Sequence, residues 1–430
     1  MSVTAPGFFD RGHIETVQLG KLRALLAALA PENPFYSARL EAAGIGADLE
    51  SLDQFRARVP FTFKQELIDD QRRHAPYGSN LTYPEERYTR ISQTSATTGK
   101  PLRWLDTPQS WAWMAGNWMH VFRSAGVTPQ DRMFFAFSFG PFIGFWLAFE
   151  SAARLGCLAI PGGGLRSSAR LQTMIDNGAT VLCATPTYAI RLAEVAAEEG
   201  IDLATTKIRM LVVAGEPGGS IPGTRAHMEK LWHGARVVDH HGMTETGPVT
   251  YACPKRPDVL HVIESGYIAE VIDPATGRAV PAGTRGELVL TNLGRVGSPV
   301  LRFRTGDMVE QAPGSPCACG SYETALQGGI LGRSDDMVVV RGVNVYPSAV
   351  ENILRGFGVA EYRVEVQAQR TLAELSIQVE LSREHGESAG VAERLEAALS
   401  SALSLRIPVT AVAPGTLPRF EMKAQRWVRV

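Results

Sequence analysis

Between residues 130 and 300, short apolar runs alternate with stretches of helical spacing, and this alternation limits the fold more than any other feature of the chain. The runs are Met133–Phe137, Leu158–Pro161, Val181–Ala184, Met210–Ala214 and Val237–Asp239. Strand and helix in alternation predict an α/β domain whose ligands sit at the carboxyl ends of the strands. Residues up to about 55 carry helical spacing at Leu22, Leu25, Leu26 and Leu29, with Pro31 and Pro34 as expected stops. Gly266–Ile272 and Gly286–Thr291 predict antiparallel strands around turns at Asp273-Pro274 and Gly283. A boundary is expected at 333–336. Beyond it come Val338–Val340, a helix over Pro347–Phe357 with Pro347 in its first turn, two alternating strands, and a helix over Val391–Leu403. The expected organisation is therefore a large mixed α/β domain over 1–332, a connecting segment over 333–336, and a small α+β domain over 337–430.

The most functionally pointed stretch is Thr94-Ser95-Ala96-Thr97-Thr98-Gly99-Lys100-Pro101. Its hydroxyls, glycine-freed amides and lysine offer a dense set of donors suited to a polyphosphate. It is not a Walker loop, because the first glycine of that motif is absent and Pro101 stands where a Ser or Thr would follow the lysine. The same composition also fits a polar surface turn.

With 43 basic and 44 acidic residues, the chain has no field favouring nucleic acid or anionic membrane. No stretch reaches the roughly 18 apolar residues needed to span a bilayer, and Met1 to His13 does not read as a secretory signal. Five cysteines, an odd number in a long chain, suit a reducing cytoplasm better than a disulfide scaffold. Cys157 and Cys183 lie in apolar contexts expected to be core. Cys253, His261, Cys317 and Cys319 together offer three thiolates and an imidazole, a donor set for tetrahedral structural zinc. Unconnected turn cysteines beside a surface histidine are the alternative.

Further segments fall in an order and spacing that resembles the adenylate-forming superfamily of acyl-CoA synthetases. They are Asp239-His240-His241-Gly242-Met243-Thr244-Glu245, Arg302-Phe303-Arg304-Thr305-Gly306-Asp307, Gly332-Arg333-Ser334-Asp335-Asp336-Met337, Arg341-Gly342-Val343-Asn344-Val345-Tyr346-Pro347, and Pro418-Arg419-Phe420-Glu421-Met422-Lys423-Ala424. The wording most resembles the phenylacetate-CoA ligase family, over nearly the whole chain. Two departures stand out: Ala96 replaces a usual glycine, and His241 replaces a usual tyrosine before Gly242.

The resemblance implies a mobile C-terminal lid that turns about Asp335, the substrates ATP and coenzyme A, and the cofactor Mg2+. Thr94, Ser95, Thr97, Thr98, Gly99 and Lys100 would hold phosphates. Glu245 would hold magnesium, with Thr244 donating to phosphate, although Thr and Glu after a glycine turn are also ordinary helix-start residues. Gly215, Glu216 and Pro217 would border the adenine, as would the run Asp239, His240 and His241, whose last imidazole can stack on the purine. Asp307 and Arg333 would meet the ribose. Gly342, between Arg341 and Val343, would line the pantetheine channel, and Lys423 would bridge carboxylate and α-phosphate, unless it is a solvated tail lysine. Some members of the family share the Cys, His, Cys-x-Cys set.

Seven of the 17 phenylalanines lie between Phe134 and Phe149. Phe135, Phe137 and Phe139 alternate as on a strand, and Phe142, Phe145, Trp146 and Phe149 share a helical face. The family's aryl pocket lies at the turn between such elements, so Phe139, Phe142 and Gly144 are pocket candidates, with Ala214, Gly242 and Pro248 opposite. The expected activity is ATP-dependent ligation of an aromatic acid to coenzyme A through an acyl-AMP. An adenylating amide synthetase and a nucleotide-sensing binding protein are the rivals. Expected partners are small molecules, with neither nucleic acid nor membrane among them and room left for a homodimer.

Overall fold

The computed structural model describes residues 8–94, 101–334, 336–340, 343–369, 372–381, 390–420 and 424–430. Four helices come first: α1 (Arg11–Glu32), α2 (Pro34–Ala43), α3 (Leu52–Arg58) and α4 (Lys64–Arg73). Asp10 caps α1 by accepting the His13 N–H, and Asn33 caps α2 by accepting from Tyr36. Pro31, an expected stop, lies inside the last turn of α1, while Pro34 opens α2, where its missing N–H leaves no bond unmade. Leu22, Leu25, Leu26 and Leu29 pack with Phe35, Tyr36 and Phe55 against Ile268, Leu293 and Phe303.

The hairpin of β1 (Arg90–Gln93) and β2 (Arg103–Asp106) leads into α5 (Pro108–Ala125), capped by Thr107. β3 (Arg132–Phe135) and β4 (Leu158–Pro161) pair in parallel through the crossover helix α6 (Ile143–Leu155). After α7 (Ser167–Asp176) the alternation continues as β5 (Val181–Ala184), α8 (Pro186–Glu198), β6 (Met210–Ala214), α9 (Pro222–Leu231) and β7 (Arg236–His240), with strand order β5-β6-β7. The expected runs correspond to β3 through β7. β3, however, ends at Phe135, and Phe139 has φ +45°, so Phe135, Phe137 and Phe139 do not share one strand.

Antiparallel structure follows: the hairpin β8 (Gly242–Met243) and β9 (Gly247–Pro248), then β10 (Thr250–Ala252), β11 (Val259–Val262), β12 (Tyr267–Ile272), β13 (Arg285–Asn292), β14 (Phe303–Glu310) and β15 (Ala325–Gln327). They form one sheet ordered β10-β11-β15 and another in which β13 lies between β12 and β14. The chain closes with β16 (Gly332–Arg333), β17 (Val338–Val340), β18 (Val343–Val345), α10 (Pro347–Gly356), β19 (Val359–Gln369), β20 (Leu372–Leu381), α11 (Val391–Leu403), β21 (Val409–Ala411) and β22 (Trp427–Arg429). The sheet β21-β20-β19-β22 shares a core with both helices through Val350, Leu354, Val364, Ile377, Leu395 and Leu399. Contacts group the chain into two compact units, Met1–Gly164 with His240–Gln327, and Leu165–Asp239 with Gly328–Val430.

In the first unit α5 packs on β9 and β10. The His240 ring lies 4.2 Å from Trp118, and His120 meets Tyr251 edge-on at 4.6 Å. Burial pushes these imidazoles down to about 3 and about 4, so the fold holds both neutral. Below pH 6.5 the unfolded chain binds protons that the native state refuses, so stability falls as pH drops from 6.5 toward 4. His120→Phe should flatten that decline, as read from urea midpoints between pH 7 and pH 5. An unchanged slope would mean that His120 does not contribute to it.

Candidate active site and metal centre

Leaving β7, the run from Asp239 to Glu245 turns into the hairpin β8–β9, which sets Gly242 opposite Pro248. A Cβ on Gly242 would come within 2.8 Å of the Gly247 carbonyl oxygen, so the hairpin can close only over glycine. Thr244 and Glu245 lie between the two strands, not at a helix start. The turn is pinned from outside. Arg295, fully buried, donates to both oxygens of Asp106 at 2.7 and 2.6 Å and gives a third N–H to the Thr244 carbonyl at 2.6 Å. Glu245 is 2% exposed, and its Oε1 lies 3.0 Å from Lys64 Nζ in an ion pair without hydrogen-bond geometry.

His240 Nδ1 lies 2.7 Å from the Thr250 carbonyl, which can only accept, so that nitrogen carries the proton and Nε2 is left as an acceptor. The His241 N–H donates to Thr250 Oγ1 at 2.9 Å, and its Nε2 lies 3.4 Å from Asp307 Oδ2. Asp307 is presented by a braced stretch of β14. Its N–H donates to Thr305 Oγ1 at 3.0 Å, Gly306 at φ +75° donates to Glu287 at 3.1 Å, and Arg304 pairs with Glu287. The first unit thus brings His241 to Asp307 and keeps Thr244 and Glu245 in one turn.

Thr94 closes the base of the hydroxyl-rich loop: its N–H donates to the Leu102 carbonyl at 3.0 Å, and its hydroxyl accepts the Leu102 N–H at 3.1 Å. Ser95, Thr97, Thr98, Gly99, Lys100, Asp335, Gly342 and Lys423 lie outside the described residues. Phe139 is half-buried, its ring edge-on to Trp146 at 5.1 Å and to Phe149 at 5.4 Å. Phe142 is the N-cap of α6, and a Cβ on Gly144 would meet nothing within 4 Å. α6 packs against β8 and β9, the strands of Gly242 and Pro248.

In the second unit Ala214 ends β6 and Gly215 turns the chain at φ +95°. Glu216, next to Pro217, accepts the Thr187 N–H at 2.7 Å and the Ala424 N–H at 3.3 Å. Burial pushes its carboxyl up, against those hydrogen bonds. Asp239 is buried on β7, and Arg333 is half-buried on β16.

The sulfurs and imidazole converge. Cys253 follows β10, His261 lies on β11, and Cys317 and Cys319 lie on the loop before β15; their ligand atoms all fall within 4.8 Å of one another. Cys253 and Cys317 sulfurs are 3.8 Å apart, and Cys319 Sγ is 3.4 Å from His261 Nε2. A tetrahedron with zinc–sulfur bonds of about 2.3 Å has edges of about 3.8 Å. His261 Nδ1 faces the Glu323 carbonyl at 3.2 Å, which leaves Nε2 free to face the sulfurs. Cys157 and Cys183 are buried elsewhere, as expected.

Residues 64–294 match the family described as AMP-binding enzyme, and residues 342–429 match its C-terminal domain. The chain is 31% identical to a phenylacetate-coenzyme A ligase of Pseudomonas putida, over 95% of this chain and 92% of the relative. It is likewise 31% identical to that of Escherichia coli (strain K12), over 96% of each. The chain belongs to the phenylacetate-CoA ligase family of adenylate-forming enzymes. A solved structure of 2-hydroxyisobutyryl-CoA ligase in complex with 2-HIB-AMP is similar throughout, at TM-score 0.92 and 29% identity, covering 99% of this chain and 91% of that one. As a member of this family the chain is an ATP-dependent, AMP-forming CoA ligase. The amide synthetase is not favoured.

Sequence reasoning missed Lys64, Arg295 and Asp106, because each acts on a residue far along the chain and none sits in a motif. Asp106→Ala would leave the Arg295 guanidinium buried without its carboxylate, and stability should fall by about 3 to 5 kcal/mol in denaturant unfolding. A loss below about 1 kcal/mol would mean that water reaches the site.

Proposed function

We propose that the chain activates an aromatic carboxylic acid of the phenylacetate or benzoate type and passes it to coenzyme A. The observation that carries this reading is the aromatic turn before α6. Phe139, at φ +45°, sits between Trp146 and Phe149, and Gly144 leaves space beside a helix that packs on the Gly242–Pro248 hairpin. Flat apolar walls suit a ring and offer a long chain little. In the first step the substrate carboxylate attacks the α-phosphorus of ATP and pyrophosphate leaves. In the second the thiol of coenzyme A attacks the acyl carbon and AMP leaves.

Lys423 would offset charge between carboxylate and α-phosphate in the first step, and residues 94–100 would hold the outgoing phosphates. His241 and Asp307, 3.4 Å apart, suit adenine stacking and ribose hydroxyls respectively, with Arg333 as a second ribose contact. Gly215 to Pro217 would border the purine through backbone groups. Glu245 would hold magnesium, which neutralises polyphosphate charge; its Oε1, paired with Lys64 but not hydrogen-bonded, fits that task. Gly342 would line the path of coenzyme A, and Asp335 would serve as hinge of a lid over 337–430.

A second reading takes a short branched hydroxy acid, because the structural likeness to the 2-hydroxyisobutyryl enzyme spans nearly the whole chain. A panel of phenylacetate, benzoates, 2-hydroxyisobutyrate and a long fatty acid, with AMP release followed at saturating ATP and coenzyme A, separates them. The aromatic acids should give the highest kcat/KM and the fatty acid none. A preference for 2-hydroxyisobutyrate would replace the aromatic reading.

Cys253, His261, Cys317 and Cys319 would hold a structural zinc ion that staples the loop before β15 to β10 and β11. The donor set supports this, since three thiolates and one imidazole complete a tetrahedron with no position left for water. Protein purified without chelator should carry about one zinc per chain. Cys317→Ser should lower the melting temperature more than it changes kcat. Metal-free protein of undiminished stability would remove the site.

A further inference from the structure

Helix α9 starts without a side-chain cap of its own, because Ile221 precedes Pro222 and offers no acceptor. The Gly223 N–H, one of the donors a helix start leaves unpaired, is instead taken by Asn352 Oδ1 of α10 at 2.9 Å. A side chain of the C-terminal segment thus caps a helix that precedes it by more than a hundred residues. The approach is as close as glycine permits: a Cβ on Gly223 would lie 2.8 Å from the Asn352 carbonyl oxygen and 3.2 Å from Arg355 Cβ. Three weaker contacts join the same two stretches. Glu216 holds the Ala424 N–H at 3.3 Å, Arg426 reaches the Thr187 hydroxyl at 3.4 Å, and Arg419 lies 3.3 Å from Glu194.

We infer that Gly223 and Asn352 form a clasp that holds the C-terminal segment on α8 and α9 for acyl-AMP formation and lets it go for thioester formation. The inference rests on the reading above that Lys423 serves the first step. Ala424 follows Lys423 directly in the chain, so the held surface ends one peptide bond from that lysine. These four contacts are polar, and water can replace each of them when the surfaces part. The core of the segment itself, around Val350, Leu354 and Leu399, is built mainly of buried apolar side chains, for which water is no such substitute.

Gly223→Ala tests the clasp without touching the nucleotide residues. Alanine is the better helix former, so α9 does not suffer, while the added methyl collides with α10. Pyrophosphate–ATP isotope exchange should fall about tenfold or more in kcat with the KM for ATP unchanged, and thiolysis of supplied acyl-AMP should hold or rise as the population shifts to the released pose. Asn352→Ala, which removes the cap and leaves the space, should give a smaller loss of the same kind. Equal losses in both half-reactions would make the contact a permanent structural one, and no loss in either would make it idle; both overturn the clasp. Lys423→Ala, run alongside, keeps the two ideas apart. If exchange survives that change, the reading of Lys423 fails, whereas loss there with normal Gly223→Ala leaves only the clasp refuted.

Discussion

A guanidinium and a carboxylate with no solvent exposure, Arg295 and Asp106, join the end of β2 to the turn of Thr244 and Glu245. Two parallel hydrogen bonds satisfy the carboxylate, and the Thr244 carbonyl takes a further N–H, so the charges are buried without being left unpaired. β2 begins just beyond the Thr94–Pro101 loop and ends at Asp106, immediately before α5. One ion pair therefore sets the far end of the β1–β2 hairpin, the start of a long core helix and the proposed magnesium carboxylate against one another. A hydrophobic pair could fill the same volume, but it could not hold a backbone carbonyl in place.

The elements legible in sequence were those whose local pattern and tertiary role agree. Val181–Ala184 and Met210–Ala214 are buried at nearly every position, and their β-branched and apolar runs are bounded by turn residues, so pattern and structure coincide. Phe137 and Phe139 misled because their alternation persists after the strand ends; the backbone leaves β conformation before the positive φ at Phe139. Propensity describes one residue at a time and does not report where pairing stops. The motif segments were readable because each is short and contiguous. Lys64 beside Glu245, Asp106 beneath Arg295, and Asn352 over Gly223 could not be read, since each pair is created by the fold and Lys64, Asp106, Arg295, Asn352 and Gly223 sit in no motif.

The cysteine cluster lies between these extremes. Cys317 and Cys319 announce themselves as neighbours, but Cys253 and His261 join them only because β10 and β11 are antiparallel neighbours, with Tyr251 opposite His261. The Cys253 N–H is bound to the Val259 carbonyl at 2.9 Å, so the thiol is fixed by sheet register and not by a loop of its own. The turn at Cys317 closes through Gly320 at φ +91°, which returns its N–H to the Cys317 carbonyl at 2.7 Å. Composition supplied the donor types, and strand register supplied their meeting point.

A C-terminal segment that alternated between two poses, as inferred above, would need surfaces of two kinds. Inside, β19, β20, α10 and α11 share one apolar core through Val364, Ile377, Leu354 and Leu395, which would keep the segment folded in either pose. Outside, a surface that buried comparable apolar area would hold too tightly, since each fully buried Leu or Val contributes about 1.5 to 3 kcal/mol. Where this segment meets α8, α9 and the turn before α9, the named contacts are the Asn352 side-chain amide capping α9, the Glu216 carboxylate accepting the Ala424 N–H and Arg426 reaching the Thr187 hydroxyl, each contributing on the order of 1 kcal/mol net. Glycine at position 223 lets α9 come close enough to α10 for its N–H to reach Asn352 Oδ1, so the contact is specific in geometry. Such a contact would permit a defined pose to be left within a catalytic cycle, whereas a larger side chain at position 223 would collide with Asn352 and Arg355 and disfavour that pose.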